Sequence, residues 1–183
     1  MLHTKTKTLS LTLIALMTAI TCILGPLSIV VPFSPVPVSF TNLAIFLTVM
    51  ILGWKKGTVS YFIYLLIGFI GVPVFSSFTS GPARLLGPTG GYLIGFIFMA
   101  MVSGYFIEKF SGKLYMYITG MTIGTFICYA FGTVWLSIQA DMDFGAALMA
   151  GVIPYLPCDA IKICIAAFAG NEIRKRLKRA NLI

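Results

Sequence analysis

Apolar residues fill this chain in long blocks rather than in alternation with polar ones. Blocks of spanning length run at about 9–31, 39–53, 57–75, 89–108, 113–139 and 152–173, judged against the roughly 20 residues a helix needs to cross a hydrocarbon core of about 30 Å. The second is short, and the fifth is long enough to tilt. The pattern predicts an all-α integral membrane protein, a bundle of six transmembrane helices forming a single domain over residues 1–183. Lys5 and Lys7 precede the first block as they would in a secretory signal. That block is longer than a signal core, and no A-x-A site follows it, so it reads as the first membrane helix.

The connections carry charge unequally. One side collects Lys5, Lys7, Lys55, Lys56, Lys109, Lys113 and the tail residues Arg174, Lys175, Arg176, Lys178 and Arg179. The other holds Arg84, Asp141 and Asp143. The positive-inside rule then places both termini in the cytoplasm. The outward connections are Pro32-Phe33-Ser34-Pro35-Val36-Pro37 and a stretch from Val74 to Pro88 rich in Ser, Gly and Pro. Proline resists regular helix there. Both segments are apolar enough to lie on the protein, as folded lids over an outward-facing site or as ordinary loops.

Composition agrees with the blocks. Charged residues make up 10% of the chain, too little polar surface for a soluble domain, which averages about 25%. The net charge of +8 reads as the cytoplasmic flanks of membrane helices rather than as a nucleic-acid patch, so no nucleic-acid partner is expected. Cys22, Cys128, Cys158 and Cys164 form no C-x-x-C pair and read as small apolar residues. His3 is the only histidine, so no metal centre is expected. Gly87-Pro88-Thr89-Gly90-Gly91-Tyr92 suggests a phosphate loop, but no Gly-Lys-Ser/Thr follows. Its glycines suit a tight turn and close approach to a helix or a ligand. Ala15 and Ala19 form a small-x-x-x-small pair, by default a packing face.

Asp159 and Lys162 break the sixth block. Pro157 is suited to a first helical position. Asp159 then falls in the first turn, where the helix dipole favours a negative charge, and Lys162 follows on nearly the same face. Counted back from Arg174, the two lie about 22 and 18 Å from the cytoplasmic end at 1.5 Å per residue, in the outer half of the bilayer. Ionisable residues at that depth are costly and mark functional sites by default, although a purely structural ion pair is the alternative. Arg84 stands against the charge bias, as a solvated loop residue or as a bidentate clamp for a carboxylate. Together the three suit a small, mostly apolar molecule with a hydrogen-bonding head and an anionic tail.

Four motifs carry a wider resemblance: Pro35-Val36-Pro37-Val38 with Thr41-Asn42-Leu43-Ala44; Gly71-Val72-Pro73-Val74-Phe75; Leu86-Gly87-Pro88-Thr89-Gly90-Gly91-Tyr92-Leu93; and Ile153-Pro154-Tyr155-Leu156-Pro157 followed by Asp159 and Lys162. With them nearly the whole chain resembles the BioY family, the biotin-specific S components of energy-coupling-factor (ECF) transporters. The resemblance implies a cell-membrane protein that captures biotin from outside. It docks with a transmembrane T component and two cytoplasmic ATPases, and topples to release the vitamin inside. It further implies that Asp159 accepts from a ureido N–H and that Lys162 donates to the ureido oxygen. Arg84, Gly91, Tyr92 and Asn42 would complete the substrate site, and Ala15 and Ala19 would face the T component. Cys158 stands where the pattern usually has glycine. No cofactor is implied, and biotin is cargo.

Two other readings compete. One keeps the transporter class and replaces biotin with a different small carboxylate-bearing vitamin. The other is a membrane enzyme using Asp159 and Lys162 as acid and base, with a Cys158–Lys162 pair as a conceivable nucleophile. Nothing in the sequence supplies an oriented third group, so the expectation is that the chain is not an enzyme.

Overall fold

The computed structural model describes residues 2–30, 32 and 34–180, with the backbone alone at 2–6. Val31, expected to end the first span, and Phe33, expected in the first lid, lie outside the described residues. Helix α1 covers Leu2–Leu24. It stops seven residues before the expected end at 31, because Pro26 cannot donate a helical hydrogen bond and disfavours helix at Gly25. The chain then forms a two-stranded antiparallel ribbon, β1 (Ser28–Ile29) against β2 (Val38–Ser39), with Ser28 opposite Ser39. The proline-rich connection is the loop of this ribbon.

The second and third apolar blocks merge into α2, Thr41–Phe69. Gly53 interrupts it with φ 78° and ψ −177°, a conformation essentially reserved for glycine. Two arms result, 41–52 and 54–69. The Glu108 carboxylate accepts from the Trp54 N–H at 3.1 Å, satisfying one donor that the break exposes. Lys55 and Lys56 therefore sit in the first turn of the second arm and not in a loop. This arm ends at Phe69, short of the expected 75, before Gly71 (φ 110°) and Pro73.

The segment expected to be irregular holds a short helix, α3 (Pro82–Leu86), with proline at its start. Helices α4 (Gly90–Lys109) and α5 (Leu114–Gln139) follow close to the predicted bounds. Helix α6 (Phe144–Gly151) is unexpected. Asp143 caps it by accepting from the Gly145 N–H at 2.9 Å. A 3-10 turn at Ile153–Tyr155 leads into α7, Leu156–Arg179. The basic tail is thus the last part of a helix.

Helix α4 packs along α5, and α2 is central to α1, α4 and α7. Tyr61, Tyr64, Phe46, Met50, Met99 and Met121 are fully buried between them. Leu11, Phe126, Ile138 and Phe168 are each more than half exposed. Five helical stretches among the described residues are long and apolar enough to cross a membrane, ending with the combined run Phe144–Arg179. An apolar exterior around a packed interior is what a lipid solvent permits. The protein is a helical, multi-pass membrane protein.

Candidate functional site

The first turn of α7 carries Asp159, and Lys162 follows one turn later; each is 7% exposed. Their side chains meet at 3.1 Å, Lys162 Nζ on Asp159 Oδ1. The same Oδ1 accepts from Asn42 Nδ2 at 2.8 Å, from the start of α2. Oδ2 accepts from the Tyr129 hydroxyl of α5 at 2.5 Å. Lys162 Nζ also donates to the Ser39 carbonyl of β2 at 2.7 Å and lies 5.9 Å from the centroid of the Phe40 ring. Three helices and the ribbon thus converge on one carboxylate and one ammonium. Buried charges in apolar surroundings require this degree of hydrogen bonding.

The cluster forms one wall of a cavity that, together with its solvent-open mouth, encloses about 680 Å³ of space. Val36, Phe75, Phe96 and Met99 supply apolar lining, and Arg84 and Thr89 border the same space. Tyr92 lines it as an aromatic wall, its hydroxyl donating to the Gly151 carbonyl at 3.0 Å. The ribbon loop is fastened over this region. Ser34 Oγ donates to the Ala150 carbonyl at 2.7 Å. The Tyr155 hydroxyl contacts Ser34 Oγ at 2.6 Å and also the Val36 carbonyl.

The structure therefore brings Asp159, Lys162, Asn42, Arg84 and Tyr92 to one cavity. Arg84 lies in the last turn of α3, half-buried, and its burial without a carboxylate partner lowers its pKa from the ordinary arginine value. Gly91, expected at the substrate site, is absent from the lining. A Cβ there would lie 2.2 Å from the Trp135 Cβ, so its missing side chain serves the close packing of α4 on α5. Ala15 and Ala19 are exposed on α1, away from the cavity lining. Cys158 is half-buried beside Asp159 but is also absent from the lining. Among the described residues, no group of three His, Cys, Asp or Glu side chains could hold a metal.

Tyr129 and Thr89 are among the cavity-lining residues that the sequence reading did not single out. The available signal for Tyr129 was a tyrosine inside an apolar span, whose hydroxyl needs a partner once buried.

The model of the BioY family matches residues 2–179. The chain belongs to the BioY family. The "Biotin transporter BioY2" of Lactococcus lactis subsp. cremoris is 35% identical over 177 residues, covering 97% of this chain and 96% of that protein. The "Biotin transporter BioY" of Thermotoga maritima is 37% identical over 145 residues, covering 79% and 85%. A crystal structure described as the S-component for biotin from an ECF-type ABC transporter superposes with a TM-score of 0.86 at 32% identity, covering 92% of each chain. The helical fold of this chain thus matches that of a solved biotin S-component.

Proposed function

We propose that this chain captures biotin for uptake, as the S component of an ECF-type transporter in the cell membrane. One observation carries the reading at the level of atoms. A carboxylate offers about four acceptor positions and an ammonium three donors. Asp159 uses three positions, on Asn42, Lys162 and Tyr129. Lys162 uses two donors, on Asp159 and Ser39. One acceptor and one donor remain, side by side, as the N–H and C=O of a cyclic urea require. Arg84 meets the carboxylate at the other end of the ligand, and Tyr92 supports the apolar part between.

In this reading the two arms of α2 count as separate spans, which gives six helices in one domain with both termini cytoplasmic. The cavity then faces outward under the ribbon and α3. Ala15 and Ala19, exposed on α1, face the transmembrane T component, and two cytoplasmic ATPases supply the energy. Calorimetry on the purified protein tests the ligand: tight biotin binding is expected, and its absence from well-folded protein refutes the proposal. Competition by other carboxylate vitamins, each displacing labelled biotin less effectively than biotin itself, tests the specificity.

A further inference from the structure

Three polar side chains bordering the cavity, Ser76, Arg84 and Thr89, have no hydrogen-bond partner among the described residues, and of these only Thr89 is buried. Thr89 is the most unusual. It stands at the N-cap of the 20-residue helix α4, a position where a threonine hydroxyl ordinarily accepts from the first turn. Here it makes no cap bond. The residue is 7% exposed, and its Oγ1 is buried and unpaired. Neighbouring donors are engaged elsewhere: Trp135 Nε1 donates to the Gly87 carbonyl at 2.9 Å and the Gly90 N–H to the same oxygen at 2.9 Å.

A buried hydroxyl without a partner is a standing cost, which a fold retains where a ligand repairs it. Thr89 is free to do so. A step of about 120° in χ1 exchanges its methyl and hydroxyl positions, and no protein hydrogen bond has to break. Its position selects the ligand atom. Thr89 and Arg84 come from one short segment, five residues apart, whereas Asp159, Asn42, Tyr129 and Lys162 form a separate hydrogen-bonded cluster from other elements. An anionic group accepting from the guanidinium has lone pairs to spare for a hydroxyl.

We propose that Thr89 is a specificity-determining residue whose hydroxyl donates to the ligand's carboxylate beside Arg84. The inference rests on the biotin reading above and deepens it. Thr89 then separates the acid from its uncharged derivatives, since a hydrogen bond to an ionised acceptor is roughly twice as strong as one between neutral groups.

Thr89→Val keeps the shape and removes the hydroxyl; Thr89→Ser restores it, and Thr89→Ala serves if the valine variant does not fold. Calorimetry with biotin and with its carboxamide, and thermal unfolding without ligand, read the outcome. Thr89→Val is expected to weaken biotin about tenfold, the order of one charge-assisted hydrogen bond. The carboxamide should lose at least threefold less, and Thr89→Ser should stay near wild type. The ligand-free melting temperature should hold or rise, because an unpaired buried hydroxyl has been replaced by a methyl group. A loss of less than threefold with biotin, equal losses with both ligands, or a lowered ligand-free melting temperature overturns this role. Folded wild-type protein that binds no biotin overturns the biotin reading itself, and this one with it.

Discussion

Replacing Asp159 with asparagine tests the site at its centre. The substitution keeps the size of the side chain and removes its charge. Lys162 then loses its ion-pair partner at 3.1 Å but retains the Ser39 carbonyl at 2.7 Å. One of the two oxygens becomes an NH2 group, so a donor of the Asn42, Lys162 and Tyr129 set faces another donor. Breaking a buried ion pair from one side costs about 3–5 kcal/mol; the retained Ser39 bond argues for the lower end, about 3 kcal/mol, in the ligand-free protein. Binding loses one charge-assisted hydrogen bond, about 1–3 kcal/mol, or roughly 5- to 150-fold in Kd. Thermal unfolding and biotin calorimetry measure the two effects separately. The double variant Asp159→Asn/Lys162→Met removes the stranded cation. It should be more stable than Asp159→Asn alone and bind no better, because it no longer leaves a buried cation without its ion-pair partner. Wild-type biotin affinity in Asp159→Asn would refute the site assignment.

Tyr129→Phe removes one donor to Asp159 and leaves the ring in place; a loss of about 1.5–3 kcal/mol in stability is expected from denaturation curves, the range for a bond to a charged group. An unchanged midpoint would show that the 2.5 Å contact carries no energy. Gly53→Ala forces a side chain into a glycine-only conformation, at about 1–3 kcal/mol, and its Cβ would lie 1.8 Å from Glu108 Oε1. Gly112→Ala is the control, with φ 95° but nothing within 4 Å of the added Cβ; equal melting temperatures for the two would contradict the Glu108 contact. Ala15→Phe and Ala19→Phe, on the exposed face of α1, should leave stability within about 0.5 kcal/mol and biotin affinity unchanged, yet abolish co-purification with the T component. Retained co-purification would place docking on another face.

The apolar blocks made most of the helices legible, because a lipid-facing segment must satisfy its own backbone and be long enough to cross. Asp159 and Lys162 were legible as a pair from their i, i+3 spacing, and Pro157 marked the start of their helix. Other features depend on partners remote in sequence. The ribbon joins Ser28–Ile29 to Val38–Ser39 across a proline-rich loop that has no strand signal of its own. Gly53 and the two following lysines read as a loop because the sequence does not reveal that Glu108 binds Trp54 across the break. Gly91 was assigned to the ligand from a glycine-rich turn, when Trp135 on the next helix explains its missing side chain. Tyr129 lacked any spacing clue, since its partner Asp159 lies thirty residues away.

The ribbon and the charged pair are one mechanical unit. Lys162 Nζ binds the Ser39 carbonyl, so the cation of the site also holds the last residue of β2. Two residues on, Thr41 begins α2, and Asn42 in its first turn binds Asp159. At the other end of the loop, Ser34 is fastened to Ala150 and Tyr155, just before α7 presents Asp159. These fastenings of the cover end on the same short stretch, residues 150–162, that carries the charged pair, while Ser28 of β1 is tied separately to Ser77 at 2.9 Å. In the proposed function, a ligand oxygen that takes the third donor of Lys162 shares that ammonium with Ser39. In the proposed function, Lys162 therefore links occupancy of the cavity to its cover by at most the about 1.5–3 kcal/mol of one charge-assisted hydrogen bond.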